Sequence, residues 1–260
     1  MTRGAVHYEV AENVATIVLD DPATRNALTR RMVDDLRRAL TRGAQEARAV
    51  HLRGANGNFC AGANLSEDDG MDRPDADGGR ILIDHYNPLM RVVRDLAVPL
   101  VVSLDGPVVG VGASIALAGD LIFAADDAFL MLPFSRIGLI PDGGVVHTLV
   151  RAVGRARAVR IMLSAERIPA GRAFDLGLVT ALSDHHGVHR DARDAAMALA
   201  QGPTAALGAI RRLAWTSLDE SFENQLATEV AVQRDLAHRA DYREGVSAFL
   251  EKREAVFDGR

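Results

Sequence analysis

Gly106-Pro107-Val108-Val109-Gly110-Val111-Gly112-Ala113-Ser114 joins a buried apolar strand, predicted over Pro99 to Leu104, to a helix that starts near Ala113. Residues this small point to a tight turn in which backbone comes close to something else. A second turn of the same character, Asn58-Phe59-Cys60-Ala61-Gly62-Ala63-Asn64-Leu65, follows a short strand at Ala49 to Leu52. Turns and helix starts leave N–H groups free of secondary-structure bonds. Two such groups aimed at one point would hold a carbonyl oxygen while negative charge builds on it. The alternative is close packing of a strand on a helix, where only small residues fit.

The rest of the chain alternates in the same way. Val6 to Val10 and Val14 to Leu19 read as a hairpin turning at Glu12-Asn13. Thr29 caps a helix whose apolar residues, Met32, Val33, Leu36 and Leu40, recur at helical spacing. Residues 66–79 are acidic and rich in Gly and Pro, a mobile surface loop. Ile81 to Leu96 is predicted as one helix, Leu121 to Ala125 and Leu178 to Leu182 as strands, and 143–152 and 155–164 as helices. His185, His186 and His189 fall in a polar connection with no evident partner ligands, so no metal site is expected. From 188 onward the pattern is helical. The order is repeated β-β-α units, then a helical tail.

Composition excludes several classes of function. The 260 residues are 48% hydrophobic, enough for a large core, and the net charge of −5 argues against nucleic-acid binding. The one cysteine, Cys60, allows no intrachain disulfide and fits a reducing cytoplasm. The N-terminal residues lack the apolar core of a signal peptide, and no apolar run approaches a membrane span of roughly 20 residues.

One carboxylate stands out, Asp142 in Ile140-Pro141-Asp142-Gly143-Gly144. Val145, Val146, Leu149 and Val150 follow at helical spacing. Taken alone, the stretch is a turn with Asp142 as the N-cap of a helix.

Together the three stretches resemble the crotonase (enoyl-CoA hydratase/isomerase) superfamily, from about Val6 to Phe257. The resemblance implies an α/β fold, a spiral of repeated ββα units over residues 1–200, with a C-terminal helical trimerisation region at 201–260. It implies an acyl-CoA thioester as ligand, with coenzyme A as part of the substrate and no separate cofactor, and a homotrimer or dimer of trimers. Arg25-Asn26-Ala27-Leu28 looks like the family's loop near the coenzyme A arm. By the same resemblance Cys60 and Val111 supply backbone N–H groups to an oxyanion hole, within Ala61, Gly62 and Ala63 and within Gly110 and Gly112. Lys252 and Phe257 would approach coenzyme A, including one held by a neighbouring subunit.

The departures from the family pattern are as informative. Family hydratases carry glutamates where this chain has Ser114 and Phe134. Water addition normally uses an acid and a base on one face, and neither residue here replaces them. Asp142 sits where the family's enoyl-CoA isomerases carry a single acid. Tyr86-Asn87-Pro88-Leu89 and Asp241 to Leu250 are similar to the phenylacetate-pathway isomerases acting on 1,2-epoxyphenylacetyl-CoA. The resemblance therefore implies an acyl-CoA isomerase with Asp142 as its catalytic base, in an apolar wall of Leu130, Leu132, Phe134 and Ile137. A hydratase and a non-catalytic acyl-CoA carrier are the alternatives.

Overall fold

The structure is a computed structural model that describes residues 4–67 and 77–259, so most of the acidic loop expected at 66–79 lies outside the described residues. Two residues with left-handed backbone, Glu12 (φ 54°) and Asn13 (φ 61°), close the first hairpin. That geometry gives a two-residue turn whose twist matches its strands. It joins β1 (Ala5–Ala11) to β2 (Val14–Asp20), paired antiparallel from Ala5↔Asp20 to Ala11↔Val14. Thr29 Oγ1 accepts the Met32 N–H at 3.2 Å and starts α1 (Arg30–Glu46), which buries Met32, Val33, Leu36 and Leu40 on one face. β3 (Ala49–Gly54) then lies parallel to β2.

The predicted helix at Ile81 to Leu96 divides in two. A π-helical turn, Leu82–Tyr86, precedes α2 (Asn87–Asp95). Pro88 falls in the first turn of α2, where its missing N–H costs no internal bond. Next come β4 (Leu100–Leu104), β5 (Pro107–Val109), α3 (Val111–Ala116), β6 (Leu121–Ala125) and β7 (Phe129–Met131). A 3₁₀ turn at Pro133–Ile137 leads to α4 (Val145–Val153) and α5 (Arg155–Ser164). They are followed by β8 (Ile168–Pro169), α6 (Ala170–Asp175) and β9 (Ala181–Ser183). Four helices end the described chain: α7 (Val188–Gln201), α8 (Thr204–Thr216), α9 (Phe222–Ala237) and α10 (Ala240–Glu251).

The main sheet has the order β1-β2-β3-β4-β6-β9, parallel except for the first pair. All five residues of β4 are buried, as expected of a parallel strand covered on both faces. On one face α1 and α2 bury Met32, Leu36, Leu89 and Val93 with Leu52 and Val102. On the other, Ala192, Ala196 and Ala200 of α7 pack on Val14, Ala49 and Val101. An alanine at every fourth position lets that helix lie close. A smaller sheet, β5-β7-β8, stands beside the C-terminal end of β4. These strands are too short for alternation to reveal them in sequence.

Candidate active site

The loop before α1 is sewn onto the first glycine turn. Arg25 (φ 55°) and Asn26 (φ 60°) reverse the chain. The Ala61 N–H then donates to the Arg25 carbonyl at 3.0 Å, the Leu28 N–H to the Gly62 carbonyl at 2.7 Å, and the Asn64 N–H to the Leu28 carbonyl at 2.9 Å. Buried Asn26 holds the crossing, its amide donating to the Ala55 carbonyl at 3.0 Å and its Oδ1 accepting the Asp21 N–H at 2.7 Å. Arg25, Ala27, Ala61, Gly62 and Ala63 are thereby brought together, as the sequence leads one to expect.

The structure corrects one expected donor. The Cys60 N–H is already given to the Pro107 carbonyl at 3.0 Å, and the Cys60 carbonyl accepts the Val109 N–H at 2.9 Å. Cys60 is a bridge residue between the turn and β5, so its N–H has no capacity for a ligand. Burial pushes its thiol up to about 12, which leaves it protonated and inert. Three residues on, the Ala63 N–H has no hydrogen-bond partner among the described residues, because the parallel bridge between Leu28 and Ala63 is made through the Gly62 carbonyl and the Asn64 N–H. The signal in the sequence was the glycine before it: the backbone that bends at Gly62 (φ 101°) turns the next amide out of the ladder.

The second turn repeats this arrangement. Gly110 (φ 56°) precedes α3, and the Val111 N–H, in its first turn, has no partner among the described residues. The two turns touch at their glycines: a Cβ on Gly110 would lie 3.7 Å from the Gly62 Cα and 3.9 Å from the Phe134 ring. A Cβ on Gly112 would lie 2.7 Å from both Cβ and Sγ of Cys60, so only glycine lets α3 approach that closely. Ala63 and Val111, each one residue beyond its glycine, thus present two unpaired amides from adjoining turns.

Asp142 lies beside them but does not cap α4. The helix begins at Val145 after Gly144 (φ 76°), with no side-chain cap. Instead the Asp142 carbonyl accepts the hydroxyl of buried Ser114 at 2.9 Å. A Cβ on Gly143 (φ 62°) would lie 2.8 Å from the Ser114 Cβ, so the turn rests directly on α3. Asp142 Oδ1 is buried with no partner among the described residues. Burial raises its carboxyl to about 6, opposed by a hydrogen bond to its own backbone. Among the described residues Leu130, Leu132 and Phe134 are buried and Ile137 is 54% exposed.

Tyr86, at the end of the π-helical turn, is a neighbour that the sequence left without a role. It is buried, and its hydroxyl has no hydrogen-bond partner among the described residues. Burial raises its phenol, and the next largest influence is the charge of Asp142. Gly143 and Gly144 also form part of the wall of a cavity of about 680 Å³, with Asn87, Met90, His147 and Trp215.

Lys252 and Phe257 lie elsewhere. Lys252 (φ 55°) ends α10, and the half-buried Phe257 packs its ring 3.5 Å from where a Gly245 Cβ would be, its carbonyl accepting from Arg48 at 3.0 Å. Neither is hydrogen-bonded to the glycine turns among the described residues. His189 belongs to α7 rather than to a loop, and His185 pairs with Asp127 at 3.0 Å. Among the described residues no group of three or more His, Cys, Asp or Glu could hold a metal ion.

The comparisons with known proteins agree with this architecture. The family described as "Enoyl-CoA hydratase/isomerase" matches residues 9–260. A Rhodobacter capsulatus protein named "Probable enoyl-CoA hydratase" is 38% identical over 262 residues, covering 100% of both chains. The "1,2-epoxyphenylacetyl-CoA isomerase" of Escherichia coli is 35% identical over 255 residues, 96% of this chain and 97% of its own. The crystal structure of an enoyl-CoA hydratase from Polaromonas sp. JS666 superposes with a TM-score of 0.90 at 29% identity, covering 98% of this chain and 100% of the other. With ββα units that bring two glycine turns against one partly buried carboxylate, the chain belongs to the crotonase, or enoyl-CoA hydratase/isomerase, family.

Proposed function

We propose that the chain is an acyl-CoA isomerase that works through a thioester enolate, with Asp142 as its proton carrier. The observation that carries this is the buried Asp142 Oδ1, without a partner among the described residues, beside two amides likewise without one, with Ser114 and Phe134 where a hydratase would need acids. The thioester carbonyl accepts from the Ala63 and Val111 N–H groups, which stabilise the oxygen as it gains charge. Asp142 removes a proton from C2 of a 3-enoyl-CoA. The C2–H electrons form the enolate, the double bond shifts to C2–C3, and the same proton returns at C4. No atom is gained or lost, so one carboxylate suffices. At about 6 its pKa lets it both take and return a proton near neutrality.

Arg25, Ala27, Ala61 and Gly62 border the thioester, Gly110, Gly112 and Phe134 close the far side, and the acyl chain runs past Asp142 into the cavity beside Gly143 and Gly144. The E. coli relative's name extends the same enolate chemistry to 1,2-epoxyphenylacetyl-CoA, where the activated thioester would assist opening of the epoxide. The R. capsulatus relative's name favours a hydratase instead. Mass separates them: hydration adds the mass of water and isomerisation adds none. Binding without turnover, unaffected by Asp142→Asn, would identify a carrier.

The chain works as a homotrimer or a dimer of trimers. α9 buries no residue in the single chain and leaves Phe222, Leu226 and Val230 exposed, and α10 exposes Tyr242, Val246, Phe249 and Leu250. Such faces need a cover, and a neighbour seated there would carry Lys252 and Phe257 toward its partner's coenzyme A. Light scattering at micromolar concentration should give a mass of three or six chains; a monomer would refute the assembly.

A further inference from the structure

A chain of four polar side chains joins β3, β4 and α7. His51 Nε2 lies 2.8 Å from Ser103 Oγ, Ser103 Oγ lies 2.8 Å from His189 Nδ1, and His189 Nε2 lies 3.2 Å from Asp105 Oδ2. His51, Ser103 and Asp105 are buried, and Ser103 is 0% exposed, which rules it out as a hydrolytic nucleophile despite its Ser–His–Asp company. His51 ends in a buried Nδ1 with no partner among the described residues.

The hydrogens in this chain can run in one favourable direction only. Asp105 accepts, so His189 Nε2 carries a proton. With His189 neutral, its Nδ1 accepts from Ser103, and Ser103 in turn accepts from His51 Nε2–H. The unpartnered His51 Nδ1 is then merely an acceptor, the less costly orphan. Protonating His189 places a hydrogen on Nδ1, which then donates to Ser103 Oγ. Ser103 Oγ then either accepts from both imidazoles, leaving its own hydroxyl hydrogen without an acceptor among the described residues, or donates to His51 Nε2 and sends the His51 proton to Nδ1; in both arrangements one buried donor has no acceptor.

Both ends of the chain bear on the site. His51 lies on β3, which runs into the first glycine turn, and Ser103 on β4, which runs into the second. The Asp105 carbonyl accepts the Phe59 N–H at 2.8 Å, one residue before the bridge at Cys60. The Gly106 carbonyl accepts the Phe129 N–H at 3.0 Å. We propose that His189 is a positioning residue for the oxyanion hole, holding the two amide-bearing turns in register through Ser103 and Asp105 while it is neutral and loosening them when it is protonated. This rests on the assignment of the Ala63 and Val111 amides to the thioester oxygen. Other charges facing the network are Arg53 from β3, Arg193 from α7, and His185 with Asp126 and Asp127 from the turn after β6. Arg193 is also paired with Glu12 at 3.0 Å.

The test reads carbonyl polarisation rather than turnover. Butyryl-CoA labelled with ¹³C at the thioester carbonyl is bound to the Asp142→Asn protein, so that the Asp142 carboxylate contributes no titration. The downfield shift of the bound carbonyl is followed from about pH 8 to about pH 5.5. It should be largest at the alkaline end and shrink on acidification. His189→Gln, which retains a donor for Asp105 and cannot be protonated, should make it independent of pH, and so should Ser103→Ala, which uncouples the two imidazoles. Ser103→Ala decides the matter if His189→Gln does not fold. A shift that is constant with pH before these substitutions, or an unchanged pH response after them, would overturn the proposal. Absence of any downfield shift at every pH would instead refute the oxyanion assignment itself.

Discussion

Ser114 gives its hydroxyl hydrogen to the carbonyl oxygen of Asp142 at 2.9 Å. Ser114 therefore fixes the backbone of the carboxylate proposed to carry the proton. Ser114→Ala should lower stability by about 1 kcal/mol, the usual worth of one hydrogen bond. It should also reduce kcat, with little change in KM, because the carboxylate loses its aim rather than the ligand its contacts. Steady-state kinetics beside thermal melting would check this, and a loss confined to KM would contradict it.

Gly62 holds a backbone angle of φ 101°, and a Cβ there would lie 3.1 Å from the Val109 carbonyl oxygen. Gly62→Ala should cost about 1–3 kcal/mol and re-aim the Ala63 amide. Loss of that amide from its proposed place in the oxyanion hole should remove roughly 10²–10³ in kcat. Rate measurements on folded variant protein would show whether the loss is of that order.

Cys60 has its amide bonded to Pro107 and its thiol buried and held protonated. Cys60→Ala should leave kcat within about tenfold of the parent, since the side chain has no chemical task and the vacated space is small. Native protein should also resist a maleimide that labels it readily once unfolded. Rapid labelling of native protein, or a loss as large as that expected for Gly62→Ala, would contradict the assignment.

Asp142 makes two opposite predictions with pH. In its proposed role as the base it must be ionised, so kcat/KM should fall as pH drops below about 6. For stability the sign reverses. Burial raises its folded pKa above the ordinary carboxylate value, so the folded protein binds the proton more tightly and loses stability as pH rises from about 4 to about 6. Asp142→Asn removes that penalty. Discounted for partial exposure, the variant should gain about 1–2 kcal/mol over the parent at about pH 8 and nothing at about pH 4. Urea melts at the two pH values would measure the difference.

Much of this was legible in the residues. The capped, periodic run from Thr29 to Leu40 became α1, and the Glu12-Asn13 hairpin formed where its turn residues put it. Gly62 and Gly110 marked the two turns because positive φ is what glycine supplies. Three features were not legible, each for a physical reason. Which amide in the first turn is free depends on long-range pairing of Cys60 with Val108 and Pro107, and no local pattern encodes that. The Asp142 stretch reads as an N-cap because Pro-Asp-Gly turns and helix starts share the same residues; only the structure shows that α4 has no side-chain cap and that Asp142 Oδ1 is buried without a partner among the described residues. Tyr86 and the His51–Ser103–His189–Asp105 chain are assembled from residues far apart in sequence, so spacing could not reveal them.

The most direct test is to give 3-enoyl-CoA to the parent protein and to Asp142→Asn, following absorbance of the conjugated thioester and product mass together. The parent should form a conjugated product of unchanged mass, and the variant should fold yet lose roughly 10²–10⁴ in rate. Near-parental activity in Asp142→Asn, or a product heavier by one water, would contradict Asp142 as the proton carrier of an isomerase.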